Sequence, residues 1–199
     1  MTDLPKTIIV CRIPYKVGVP EEAYSYEVLP DRQEINVTDQ TAPARKRQYF
    51  MWEITHLLLE AAGMISKDVN LYFRCIGSVL NRFIVDNDLG WVKGDKPLPN
   101  SLWINGIPYM IEYGNFEELK KEDLGGQVIY DIARIRVRQT MERDILLYVI
   151  IHECVHAMLF EAVAGRYESK EPFVEALAWQ ILYFLQDNDL TKLKPDKEN

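Results

Sequence analysis

Apolar positions along this chain switch between two spacings, and the switch happens twice. Residues 102–113 and 127–137 are rich in β-branched and aromatic side chains. Asn105-Gly106 and Gly125-Gly126 act there as turn signals, and Asp131-Ile132-Ala133-Arg134 turns a hairpin. The following stretch, 141–163, has helix length and few breakers, and 172–187 reads as a second helix with Pro172 at a tolerated first position. Upstream the same succession is predicted: strands within residues 7–38, a helix over 43–62 and another over 68–85. Strands followed by helices imply an α+β fold.

Matching strings support a repeated unit. Ile13-Pro14-Tyr15 returns as Ile107-Pro108-Tyr109, Glu34-Ile35-Asn36-Val37 parallels Arg134-Ile135-Arg136-Val137, and Asp86-Asn87-Asp88-Leu89 returns as Asp187-Asn188-Asp189-Leu190. Trp52-Glu53-Ile54-Thr55-His56 falls on His152-Glu153-Cys154-Val155-His156 at an offset of 100 residues. The expected organisation is two tandem pseudo-repeats, each a small antiparallel sheet followed by two helices. Residues 1–90 form the first, 91–100 a linker containing Gly94, Pro97 and Pro99, 101–190 the second, and 191–199 a loose polar tail.

Composition narrows the function. A net charge of -7 argues against a protein that grips nucleic acid through its phosphates. Three widely spaced cysteines, Cys11, Cys75 and Cys154, suggest neither a disulfide framework nor a CxxC metal site. With no secretory signal pattern and no apolar run long enough to span a bilayer, the expected location is the cytoplasm.

The candidate chemistry lies in the helix over 141–163. Spacing of i and i+4 places His152 and His156 on one face, one turn apart, where two imidazoles can share one tetrahedral ion. Glu153 borders that site without being aimed at the ion, as a general base would. From Ile145 to Ala162 the helix is otherwise almost wholly apolar, so these polar residues are expected to be buried and to need partners. The alternative is a pair of core histidines hydrogen-bonded to backbone. A catalytic zinc usually takes a third protein ligand. Glu175, an isolated carboxylate within the apolar run Phe173-Val174-Glu175-Ala176-Leu177-Ala178-Trp179, is the expected one. Glu171 competes, but at a helix start the helix dipole already accounts for a negative charge. In the first unit Trp52 stands in place of His152, so one zinc per chain is expected. A second site from His56, Glu53 and Glu60 is the alternative.

The stretch from Asn105-Gly106-Ile107-Pro108-Tyr109 through Gly126-Gln127-Val128-Ile129-Tyr130-Asp131 to the HExxH string and Phe173-Val174-Glu175-Ala176 resembles the small HExxH proteins of bacteriophages and prophages, grouped with ImmA/IrrE-type or SprT-like metallopeptidases. The resemblance covers roughly residues 102–189. It implies a zincin-like second unit, zinc held by His152, His156 and Glu175, and water activated by Glu153. The expected function is a zinc-dependent hydrolase of peptidase type acting on a protein or peptide. The alternative is a non-catalytic, metal-stabilised protein that binds and blocks a host factor. Tyr130, Tyr167 and Arg166 are candidate donors to the tetrahedral intermediate, chosen by proximity in sequence.

Overall fold

Alternation in the strands puts one row of side chains into each core. In the first unit these are Ile8, Val10, Tyr15, Ile35 and Val37; in the second, Leu102, Ile104, Tyr109, Ile111, Ile135 and Val137, all buried. A computed structural model describes residues 4–20, 26–162 and 164–194. The first unit comprises β1 (Thr7–Val10), β2 (Ile13–Gly18), β3 (Tyr26–Leu29), β4 (Glu34–Val37), α1 (Pro43–Ala61) and α2 (Ser66–Asp86). The second repeats it with β5 (Ser101–Ile104), β6 (Ile107–Gly114), α3 (Glu117–Lys121), β7 (Gly126–Ile129), β8 (Arg134–Arg138), α4 (Arg143–Glu161), α5 (Gly165–Glu168) and α6 (Glu171–Asp187). The protein is thus α+β, with two four-stranded sheets of identical order, β1-β2-β4-β3 and β5-β6-β8-β7, each followed by helices.

The sheets are mixed, which corrects the expectation of antiparallel ones. β2 pairs with β4, and β6 with β8, in parallel. The reason is the path after β6. Residues 115–125, with α3, carry the chain one strand-width past its neighbour, so β7 returns at the edge and β8 enters the gap. The hairpin expected at residues 131–134 is present: a 3-10 turn, Tyr130–Ile132, ends on Ala133 with φ of 46° and joins β7 to the antiparallel β8.

The units are interlocked rather than strung on a linker. Asn87, at the end of α2, donates to the Trp103 carbonyl and accepts from the Trp103 amide in β5, each at 2.8 Å. Asn188, at the end of α6, makes the same pair of 2.8 Å bonds to Ile9 in β1. Each unit's last helix therefore clasps the other unit's first strand. Two buried, fully bonded side-chain amides at equivalent places hold the pairing in register. The stretch expected to be a linker carries Trp91, 1% exposed, and Val92, also buried. The Arg143 guanidinium donates to the carbonyls of Trp91 and Lys96. The predicted tail is docked as far as Lys194: Leu193 is buried and the Lys194 ammonium donates to the Asn87 carbonyl. Residues 195–199 of that tail lie outside the described residues. Among the described residues no helix is long and apolar enough to cross a membrane.

In the first unit the motif-equivalent position has been filled by side chains. The Trp52 indole donates to the Ser78 hydroxyl at 3.0 Å. The Arg74 guanidinium lies 5.5 Å from the Trp52 ring, and Tyr49 of the same helix and Tyr26 of β3 pack against that ring. Glu53 is retained beneath them, 6% exposed. Burial pushes its pKa up from 4.5 to about 7, with Arg74 offsetting part of the rise. A raised carboxylate binds its proton more tightly folded than unfolded, so the stability tied to Glu53 is full below 4.5 and is lost as pH climbs through 7. A shift of this size corresponds to on the order of 3 kcal/mol. With a chelator present, Glu53→Gln is expected to flatten the fall in melting temperature between about pH 5 and 7 that the natural chain shows. Coincident profiles for the two proteins would refute this account of Glu53.

Candidate metal centre

The helix α4 sets the site because its ligand face and its core face overlap. Nineteen residues long, it buries both the apolar row, including Ile150, Ile151, Val155 and Leu159, and the polar pair Glu153 and His156. His156 is 7% exposed. The next turn of chain decides how it points. In an unbroken helix the Glu168 carbonyl would accept from the amide four residues on, but that residue is Pro172, which has no N–H. α5 therefore stops at Glu168, α6 starts afresh at Glu171, and the Glu168 carbonyl accepts instead from His156 Nδ1 at 2.8 Å. A carbonyl can only accept, so Nδ1 carries the proton and His156 Nε2 presents its lone pair. In the first unit Leu71 occupies the place of Pro172, counting back from the paired Asn87 and Asn188, and α2 runs unbroken through it.

His152 stands one turn earlier. Its Nδ1 meets the Tyr148 hydroxyl at 3.5 Å, and its Nε2 lies 3.1 Å from His156 Nε2. Burial, then the neighbouring His156, depress its pKa, which favours the neutral ring that a metal requires. The carboxylate that could serve as third donor is Glu171. Its two carboxylate oxygens lie 3.4 Å from His152 Nε2 and 3.4 Å from His156 Nε2. Among the described residues His152, His156 and Glu171 are the group of metal-competent side chains within reach of one another. A tetrahedral ion with bonds of ~2.0–2.1 Å has its ligand atoms about 3.3 Å apart. The 3.1 Å between the two imidazole nitrogens is close to that spacing, and each nitrogen has a different oxygen of Glu171 at 3.4 Å, so with one atom taken from each residue the three donors lie within 4.8 Å of one another.

The structure brings Glu171, and not the expected Glu175, within reach of both imidazoles. Glu175, the sequence-based choice, is exposed one turn further along α6, and its negative charge acts on both His152 and Tyr148. Glu171 gains its position from the helix start itself. Pro172 fixes the first turn, and that turn abuts α4 beside the two imidazoles. Of the residues considered for a second site, His56 has its Nδ1 3.8 Å from Glu60 and packs edge-on against Phe73.

Glu153 lines the same cleft as the histidines, is 6% exposed, and accepts a hydrogen bond from the Val128 amide of β7. Burial raises its pKa to about 8, with the charge of Glu171 adding to the rise and the Val128 amide opposing it. Gly126 makes room for this side chain: a Cβ there would sit 2.9 Å from both Glu153 Cγ and Oε1. Glu53 accepts from the Val28 amide of β3 in the matching way. Both units therefore pin a buried glutamate to the edge strand of their sheet, and only the second surrounds it with imidazoles.

The centre opens into a cleft of about 200 Å³ lined by Leu124, Gly126, Gln127, Val128 and Tyr130 from the β7 side. Of the residues considered as transition-state donors, Tyr130 donates its hydroxyl to the Glu168 carboxylate, and Tyr167 donates to Asp68 in the first unit. The Arg166 side chain lies outside the described residues. Tyr148 is the residue that sequence reading missed. Its signal was present, since 148, 152 and 156 form one i, i+4, i+8 row. Burial, Glu175 and Glu171 hold its pKa up to about 12, so it keeps its proton over the working pH range. A scan against protein-family models found no match, and searches of curated proteins and of solved structures found no significant similarity.

Proposed function

We propose that the protein is a zinc-dependent hydrolase of peptidase type, with one ion held by His152, His156 and Glu171 and with Glu153 as general base. The observation that carries this reading is the pair of imidazole nitrogens 3.1 Å apart, each 3.4 Å from one oxygen of the Glu171 carboxylate, beside a buried carboxylate and an open cleft. Two imidazole nitrogens and a carboxylate oxygen are the donor set of a catalytic zinc that keeps one position free. Bound there, the ion supplies a water of lowered pKa and polarisation of the scissile carbonyl.

The chain's own residues do the rest. Glu153 takes the proton of the attacking water on a carboxylate oxygen and delivers it to the leaving amine as the C–N bond breaks and the new C–O bond forms. A pKa near 8 in the metal-free site keeps Glu153 largely protonated at neutral pH. A cation a few ångströms away favours its ionised form, which ties the base to the loaded site. The Glu168 carbonyl and the Tyr148 hydroxyl hold the Nδ1 side of each imidazole and thereby the ring orientation. The substrate expected is an extended peptide. β7 is the edge strand of its sheet and lines the cleft, so a peptide laid along it gains main-chain hydrogen bonds and brings its carbonyl to Glu153.

The test is a cleavage screen of a denatured proteome with the zinc-loaded full chain, read as new peptide termini. Termini that appear with the protein and vanish with a chelator are expected. A screen that yields none with fully loaded protein would refute the peptidase reading.

A further inference from the structure

Among the described residues the first unit gathers no group of metal-competent side chains, yet one of its side chains reaches the segment that shapes the centre in the second. Asp68, in the first turn of α2, is 8% exposed and accepts a hydrogen bond from the Tyr167 hydroxyl of α5, 99 residues away. Tyr167 is itself buried, its ring edge-on to Tyr72 of the first unit at 5.8 Å and tilted against Phe173 at 5.0 Å. A cleft of about 360 Å³, bordered by Gly63, Ile65, Lys170 and Pro172, flanks this contact, so packing is incomplete around it and the hydrogen bond fixes the ring's outer end.

The residues on either side of Tyr167 are the ones the centre depends on. Glu168 follows it directly, and its carbonyl orients His156. The Tyr167 carbonyl accepts from the Lys170 amide, and the Lys170 carbonyl accepts from Phe173 and Val174, which ties Tyr167 to the first turn of α6 and so to Glu171. Because Pro172 interrupts the helix, residues 168–171 have no continuous ladder to place them. Backbone bonds from Leu159 through Ala164, Tyr167 and Lys170 to Phe173 and Val174 tie the segment to α4 and α6, and side-chain anchors add to them. Tyr130 supplies one through the Glu168 carboxylate, and Asp68 supplies another from the first unit.

We propose that Asp68 is a positioning residue for the metal centre: through Tyr167 the first unit holds residues 167–171 so that the Glu168 carbonyl and the Glu171 carboxylate stand where His156 and the ion require them. This gives the unit without ligands a defined part in metal binding, and it rests on His152, His156 and Glu171 being the ligands. An outer partner of a ligand typically contributes 10–100-fold in metal affinity, and a group one bond further out belongs at the lower end of that range.

The experiment is zinc affinity of the full chain by competition with a chromophoric chelator, together with the melting temperature of the metal-free protein. Tyr167→Phe and Asp68→Ala are each expected to weaken zinc binding by about tenfold. Asp68→Asn, which keeps an oxygen to accept from Tyr167, should retain most of the affinity, and the double variant should lose no more than either single one. Unchanged affinity in Tyr167→Phe, or losses that simply add, would overturn the proposal. So would a lowered metal-free melting temperature with affinity intact, the mark of a purely structural contact. If Asp68→Ala does not fold, Tyr167→Phe, which removes a single oxygen, decides. A natural chain that binds no zinc refutes the metal centre itself, whereas a natural chain that binds zinc beside variants that bind equally well refutes only the role of Asp68.

Discussion

Glu153→Gln is expected to remove peptide hydrolysis while leaving zinc on the protein. The substitution keeps volume and shape beside Gly126 and keeps an oxygen for the Val128 amide, so the fold and the imidazole pair stay in place. It removes the one group placed to take a proton, and loss of a general base costs ~10²–10⁴ in rate. The measurement is kcat on a peptide from the cleavage screen, with zinc content determined on the same samples. Activity that survives the change would point to the non-catalytic reading, a metal-stabilised binding protein, for which Glu153 would be only a buried hydrogen-bond acceptor. Loss of zinc along with activity would instead make Glu153 part of the metal's support.

The second large effect separates two glutamates a turn apart. Glu171→Ala is expected to weaken zinc binding by more than the roughly 10–100-fold seen for outer partners, because it deletes a ligand. Glu175→Ala should change affinity little, since Glu175 is not among the side chains within reach of one another at the centre and acts there through its charge. Comparing the two affinities by chelator competition decides the assignment. The reverse order, zinc lost in Glu175→Ala and kept in Glu171→Ala, would restore the carboxylate that sequence alone favours.

That difference shows where the sequence was legible and where it was not. The helices, the strands and the repeat could be read because side-chain period and turn residues are local properties, and because Asp86-Asn87-Asp88-Leu89 and Asp187-Asn188-Asp189-Leu190 mark equivalent helix ends. His152 and His156 could be placed together because both sit on one helix. The third ligand sits on another helix, and its identity depends on which turn of α6 meets α4. Apolar neighbours made Glu175 look buried, but the row that actually packs inward is Phe173, Val174, Leu177 and Ala178, which turns Glu175 outward. Pro172 read correctly as a helix start, while its second effect, freeing the Glu168 carbonyl for His156, needed the fold. The parallel strand pairs and the clasp between units were equally out of reach, since both depend on long-range pairing that strand periodicity does not encode. Trp91 illustrates the same limit: glycine and proline around it suggested a linker, yet it lies in the core between the units.

On the proposed reading, two imidazoles of α4 and the first carboxylate of α6 share one divalent ion. Zinc content of the purified full chain, measured by mass spectrometry after equilibration with zinc and removal of the excess, tests it most directly when His152→Ala and His156→Ala are run beside the natural sequence. About one zinc per chain for the natural protein and close to none for either variant is the predicted result. A natural chain that retains no zinc, or variants that retain as much as it does, would contradict the account and leave His152 and His156 as a hydrogen-bonded pair in the core.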